Sequence, residues 1–228
     1  MLEKDLNVLE EGVTGGRKTF ANISKYIKMA TSGNFGNMFS VMIASVFLPF
    51  LPMLPIHILI QNLLCDFAQL GMPFDNVDEE YIEKPRRWET GSIKKFMFWF
   101  GTMSSIFDII CFAILWYVLG YNTIEKAILF QTGWFMFGII SQTLIIHMIR
   151  TAKIPFIESK PSMKLIISTT AIVVITLIIG FTGIATIFNL ATLTSAYMIW
   201  LGLLVAGYAI ITQIVKNIYI KTSNGQWI

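Results

Sequence analysis

Apolar residues occur along this chain in long, nearly unbroken stretches, without the short alternation of strands or the narrow stripe of soluble helices. A membrane helix needs about 20 mostly apolar residues. Six stretches meet that need: 35–51, 54–70, 96–119, 128–149, 165–188 and 196–215. The pattern predicts an all-α fold, a polytopic membrane helix bundle of six transmembrane helices. Only Pro49, Pro52 and Pro55 punctuate the gap between the first two stretches. Proline disfavours helix interiors and biases the residue before it away from helix, so a tight hairpin is expected there. The polar intervals divide the chain into a stalk segment (1–33), a first hairpin (34–71), a loop (72–95), a second hairpin (96–149), a loop (150–164), a third hairpin (165–215) and a tail (216–228).

Charge placement gives the orientation. Lys4, Arg17, Lys18, Lys25 and Lys28 precede the first span. Lys84, Arg86, Arg87, Lys94 and Lys95 follow the second, Arg150, Lys153, Lys160 and Lys164 follow the fourth, and Lys216 and Lys221 follow the sixth. Of the 17 Lys and Arg, Lys126 alone falls on the other side. The positive-inside bias then predicts both termini in the cytoplasm and a multi-pass protein of the cell membrane. About 33 polar or mixed residues precede the first span, so no signal peptide is expected. In that segment Phe20, Ile23, Ile27 and Ala30 share a helical face, which predicts a cytoplasmic stalk helix leading into span one; an amphipathic helix lying on the lipid is the competing reading.

Composition agrees. Of 228 residues, 55% are hydrophobic and 14% charged, against about 25% charged in soluble domains. This argues against a soluble globular domain, a disordered chain or a nucleic-acid partner, and makes the lipid bilayer the first partner. Cys65 and Cys111 lie in apolar runs and read as buried free thiols.

Of 14 carboxylates, Asp66 and Asp108 are the two well inside a span. A charge there costs on the order of 2.5–3.5 kcal/mol and usually marks function. Asn62, Asp66 and Gln69 share a helical face. Asp108 follows Ser104 and Ser105, span one carries Asn34, Asn37, Ser40 and Ser45, and span four carries Gln131, Gly138 and Gln142 roughly in line. No Lys or Arg lies within a span to balance the aspartates. Carboxylate, amide and hydroxyl oxygens suit Mg²⁺, Ca²⁺ or Na⁺; the bland alternative is two protonated carboxyls bonding to neighbouring helices. Cys65 is expected to point to another side of its helix than Asp66. His57 and His147 read as interfacial or packing residues, and Trp88, Trp99, Trp116, Tyr117, Tyr121 and Trp227 as interface anchors. Asp78-Glu79-Glu80 reads as a solvated loop face. The Lys84-Pro85-Arg86-Arg87 cluster could bind anionic lipid or another domain, or do no more than set topology. Gly180 and Gly183 are a weak signal for close packing. No phosphate-binding loop, HExxH or soluble Ser/His/Asp set is present.

The segments Leu9-Glu-Glu-Gly-Val-Thr-Gly-Gly-Arg17-Lys18 through Lys28, Ser32-Gly-Asn34-Phe-Gly-Asn37-Met-Phe-Ser40, Gln61-Asn62-Leu-Leu-Cys-Asp66-Phe-Ala-Gln69, Lys84-Pro85-Arg86-Arg87-Trp88, Ser104-Ser105-Ile-Phe-Asp108 and Ser141-Gln142-Thr143 through Arg150-Thr together resemble the C-terminal membrane region of magnesium-transporting P-type ATPases, from the end of the phosphorylation domain through the tenth helix. The resemblance covers essentially the whole chain. It implies that the six spans are the family's fifth to tenth, that Asn37 and Asp66 are cation-site positions, and that Asp108 is a carboxylate involved in magnesium transport. Asn34 and Asn62 are neighbours of that site. The Arg17-Lys18 region would belong to a stalk that carries conformational change to it. Mg²⁺ is then the transported ion. The family's Asp-Lys-Thr-Gly-Thr, Thr-Gly-Glu and Gly-Asp-Gly motifs are absent, so ATP hydrolysis and an ATP site are not expected of this chain alone. The expected partner is an N-terminal half bearing the ATP-binding head and the first four helices, with the chain a fragment, a truncated product or one part of a split pump. The alternatives are a freestanding ion channel, a regulatory membrane subunit without ATPase activity, or a nonfunctional truncation product. No clear inverted repeat favours a secondary transporter.

Overall fold

The computed structural model describes residues 6–87, 89–223 and 227; Lys4 and Trp88, used above for orientation and as an anchor, lie outside the described residues. Seven α-helices occur among them: α1 (Leu6–Phe47), α2 (Pro55–Gln69), α3 (Glu79–Ile82), α4 (Thr90–Ala113), α5 (Ala127–Ile149), α6 (Met163–Phe181) and α7 (Ser195–Thr222). No strand is found among the described residues. The protein is an all-helical bundle, and four stretches are long and apolar enough to cross a membrane: Thr90–Val118, Ile124–Ile149, Met163–Phe181 and Ser195–Thr222.

Outside that set lie the single-turn α3 and two longer helices, α1 and α2. Helix α2 has 15 residues, about 22 Å at 1.5 Å per residue, short of a 30 Å hydrocarbon layer. The apolar end of α1 is diluted by Ser32, Asn34, Asn37, Ser40 and three glycines or serines nearby. Stalk and first apolar stretch form one unbroken helix of 42 residues, about 63 Å long. Such a helix is longer than a bilayer is thick, and its continuity favours the stalk over a separate helix lying on lipid. The chain breaks at the prolines as expected: α1 stops at Phe47, and Pro55 occupies the first turn of α2, where its missing N–H costs nothing.

Other ends shift. Helix α4 starts at Thr90 and closes in a π-turn over Ile114–Val118. The stretch expected to be helical to 188 leaves the α-helix at Phe181 and continues as a 3₁₀ segment, Gly183–Phe188, ending at Asn189 with φ 54°. Loop 72–95 holds a 3₁₀ turn, Met72–Phe74, besides α3.

Helix α5 is the hub, buried along nearly its whole length and packed by α1, α2, α4, α6 and α7. Helices α6 and α7 turn Ile167, Val174, Ile175, Ile199, Leu203 and Ile210 outward, an apolar surface suited to lipid. Close approach is set by glycine at a few places. A Cβ on Gly101 would meet Phe35 Cδ1 at 2.6 Å and Ser32 O at 3.0 Å, so α4 seats directly on α1. A Cβ on Gly71 would lie 2.5 Å from the Cα of Leu165, fixing the end of α2 against α6. Gly180 makes room for Met136 Sδ, while Gly183 meets nothing, so one of the two flagged glycines packs.

Candidate functional site

Helices α1, α2 and α5 enclose a cavity of about 190 Å³. Its wall takes Gly33 and Asn34 from α1, Asn62, Cys65, Asp66 and Gln69 from α2, and Gln142 from α5, with Met29, Ala30, Ile145 and Ile146 closing it. Helical spacing explains the set. Positions 62, 66 and 69 repeat on one face of α2, and that face turns toward α5. Gly138, one turn before Gln142, leaves space for Gln61: a Cβ there would lie 2.7 Å from Gln61 Nε2.

The structure thus brings together Asn34, Asn62 and Asp66. Gln69 and Gln142, seen in the sequence as polar residues but not ranked as ligands, share the wall; their same-face spacing was the available signal. Cys65 also lines the cavity, contrary to the expectation that it points away, because it sits on the edge of the face carrying Asn62 and Gln69. The side-chain oxygens of Gln61 and Gln69 are buried without a hydrogen-bond partner among the described residues. An unpartnered buried amide oxygen is costly, and a hard cation is one group that relieves it.

Asp66 and Gln69 have a second role. They form part of the wall of a neighbouring cavity of about 370 Å³, lined also by Thr19, Asn22, Ile23, Tyr26, Leu70, Met72 and Pro73 toward the stalk. Asp66 itself is exposed, as are Leu63, Phe67 and Leu70 beside it. The carboxylate therefore stands at the rim of a polar cavity, beside the exposed apolar residues Leu63, Phe67 and Leu70.

Asn37 and Asp108 lie outside this wall. Asn37 is half-buried one turn beyond Asn34. Asp108 is buried between three helices: Ser40 Oγ of α1 donates to its Oδ2 at 2.6 Å, and Trp134 Nε1 of α5 donates to its Oδ1 at 2.9 Å. Ser105 Oγ donates to the Gly36 carbonyl at 3.0 Å. Gln131, aligned with Gln142 in the sequence, instead donates to the Leu51 carbonyl at 2.8 Å and holds the proline loop. His57 and His147 pack as expected, fully or largely buried, against the Phe188 carbonyl and the Thr169 hydroxyl at 2.9 Å each. No group of three or more His, Cys, Asp or Glu suited to a metal occurs among the described residues, and the other oxygen donors beside Asp66 in the cavity wall are amides.

A polar knot at the stalk end was not foreseen. Arg150 Nε donates to Asp75 Oδ2 at 2.6 Å, Lys25 Nζ lies 3.4 Å from the same oxygen, and all three side chains are buried. Arg150 also donates to the Ser159, Asn76 and Lys160 carbonyls, and Ser162 N donates to Asp75 Oδ1. Burial holds the Lys25 ammonium below its ordinary pKa, against the pull of Asp75 and with Arg150 adding to the depression. Asp78 accepts from the Thr151 and Ser159 hydroxyls at 2.5 and 2.7 Å, so it does not belong to a solvated face; Glu79 and Glu80 do. Lys216 Nζ caps the Met148, Thr151 and Lys153 carbonyls. Two of the expected interface anchors, Tyr121 and Trp227, are buried instead: the Trp227 indole donates to the Ile149 carbonyl at 3.1 Å, among Phe96, Phe100 and Tyr219.

The fold is that of a polytopic membrane helix bundle in which one cavity gathers a carboxylate and several amides. The chain belongs to the cation-transporting ATPase C-terminal family: the profile described as "Cation transporting ATPase, C-terminus" matches residues 50–218. It is 53% identical over 219 residues to "Magnesium-transporting ATPase, P-type 1" of Escherichia coli (strain K12), covering 96% of this chain and 24% of that protein. A protein of the same name from Salmonella typhimurium (strain LT2) is 50% identical over 227 residues, covering 100% of this chain and 25% of that protein. The chain thus spans about a quarter of the length of the curated relatives it matches.

Proposed function

We propose that this chain is the C-terminal transmembrane portion of a P-type ATPase that moves Mg²⁺ across the cell membrane, and that it contributes part of the membrane cation site. The observation that carries the reading is the cavity between α1, α2 and α5, where Asp66 meets the amides of Asn34, Asn62, Gln69 and Gln142. Mg²⁺ dehydrates reluctantly and is commonly held by one or two carboxylates with several waters. A single carboxylate among neutral oxygen donors suits a site that must also release its ion. Asn37 joins this set by resemblance, one turn along α1. Asp108 acts from behind it, tying α1, α4 and α5 together through Ser40 and Trp134.

The exposure of Asp66 supports a site completed from outside this chain. A carboxylate facing lipid tails is costly, and Leu63, Phe67 and Leu70 around it offer an apolar seat for further helices. Those helices, with the ATP-binding head, are the proposed partner. In the proposed topology α1 and α2 cross as the first hairpin, giving six spans with both termini in the cytoplasm, and α1 carries motion from the head to the cavity as a rigid rod.

The test is a chimera in which this chain replaces the matching quarter of the Escherichia coli relative, expressed in a strain without magnesium importers. Growth on low magnesium is expected. No growth, with the chimera inserted at normal levels, would count against the reading. A freestanding channel is the competing function; ion flux through the chain alone in liposomes would favour it.

A further inference from the structure

A basic cavity lies away from the proposed cation site. A cavity of about 410 Å³ opens between the stalk part of α1 (Phe20, Ser24, Lys28), the loop residues Tyr81, Lys84 to Arg87 and Glu89, the first turns of α4 (Ser92, Ile93) and Trp227. Among the described residues four cations line it, Lys28, Lys84, Arg86 and Arg87, against one carboxylate, Glu89. A smaller space of about 230 Å³ shares Phe20, Tyr81, Lys84, Pro85 and Arg86 and extends up the stalk to Arg17 and Val13.

The site is built rather than incidental. Lys28 is buried, and its ammonium is pinned by the Ser92 hydroxyl at 2.8 Å and the Trp227 carbonyl at 3.2 Å, over the ring of Phe96. Arg86 lies over the Tyr81 ring, 4.7 Å from its centroid. That stacking leaves the guanidinium edge available for a planar, bidentate contact. Arg17 braces the segment from the other side by donating to the Ile82 and Glu83 carbonyls. The first turn of α4 has no side-chain cap, so its amides add to the positive potential. Burial, with the Arg86 charge nearby, lowers the pKa of Lys28 to about 8, as expected of cations gathered without a full counter-charge.

We propose that this cavity binds a phosphate-bearing anion. The chemistry is that of a phosphate oxygen set held by Arg86 and Arg87, with Lys28 and Lys84 supplying the field at its base. Two sources share that chemistry. The lower end lies one turn before Phe96, where α4 becomes apolar, which suits a phospholipid headgroup; the upper end follows the stalk, which suits a soluble phosphate.

The full chain tests this in two arms. In detergent without phospholipid, inorganic phosphate is titrated and binding followed by ³¹P line broadening. In nanodiscs, retention of phosphatidylglycerol over phosphatidylcholine is followed by native mass spectrometry. Arg86 and Arg87 are exposed, so R86Q/R87Q should fold, and its helicity by circular dichroism verifies that. The control K160Q/K164Q removes the same charge outside the cavity. Saturable binding in either arm, weakened about tenfold or more in R86Q/R87Q and retained in K160Q/K164Q, supports the site, and the arm identifies the source. No saturable binding in both arms, binding unchanged in R86Q/R87Q, or equal loss in both double variants overturns it.

Discussion

Removing the charge of Asp66 while keeping its shape separates a ligand from a structural residue. Asp66 is exposed at the cavity rim, so Asp66→Asn should leave the bundle's stability within about 0.5 kcal/mol while cutting magnesium transport strongly in any pump containing this chain. Thermal unfolding and transport measured on the same variant check both halves. Asp75→Asn should behave oppositely. It leaves the buried Arg150 without its counter-charge, a loss of about 3–5 kcal/mol, and a fall in unfolding temperature in detergent is the expected readout. Lys28 gives a pH signature. Its pKa falls from 10.5 to about 8 in the folded chain. Between those values the unfolded chain binds more protons, so stability rises with pH across that window; a flat profile from pH 8 to 10, with K28Q as reference, would contradict it. At this scale the α2 wall was legible, because residues 62, 66 and 69 fall on one helical turn pattern. The polar knot was not. A basic residue at a membrane boundary reads as topology whether it is solvated or buried, and Asp75 finds Lys25 and Arg150 across 50 and 75 positions of sequence.

Helices were legible wherever apolar runs were long, and their ends were less so. The π-turn after Ala113 and the 3₁₀ segment after Phe181 arise in sequences that remain apolar, so hydropathy carries no mark of them. Of the long helices, the two that hydropathy favours least, α1 and α2, wall the cavity together with α5, since the polar residues of a site dilute the helix that carries them. Their seating depends on local backbone contact. Gly71→Ala would drive a methyl into the Leu165 backbone, which cannot yield as a side chain could, at a cost of about 1–3 kcal/mol. Gly183→Ala meets open space and should be near neutral. Equal unfolding temperatures for the two variants would refute this account of the α2–α6 contact.

Across the whole molecule, α5 forms a buried axis, α6 and α7 present apolar faces outward, and the α1–α2 face remains apolar around one exposed carboxylate. That asymmetry matches a chain covering about a quarter of its relatives' length. In the proposed function the α1–α2–α5 cavity is part of a magnesium site. The direct measurement is magnesium transport, against magnesium concentration, by the Escherichia coli chimera with and without Asp66→Asn. Saturable transport by the parent chimera and near-complete loss in the variant, at equal membrane abundance, are the expected results. Transport by the variant with unchanged rate and unchanged magnesium dependence would contradict the proposed site.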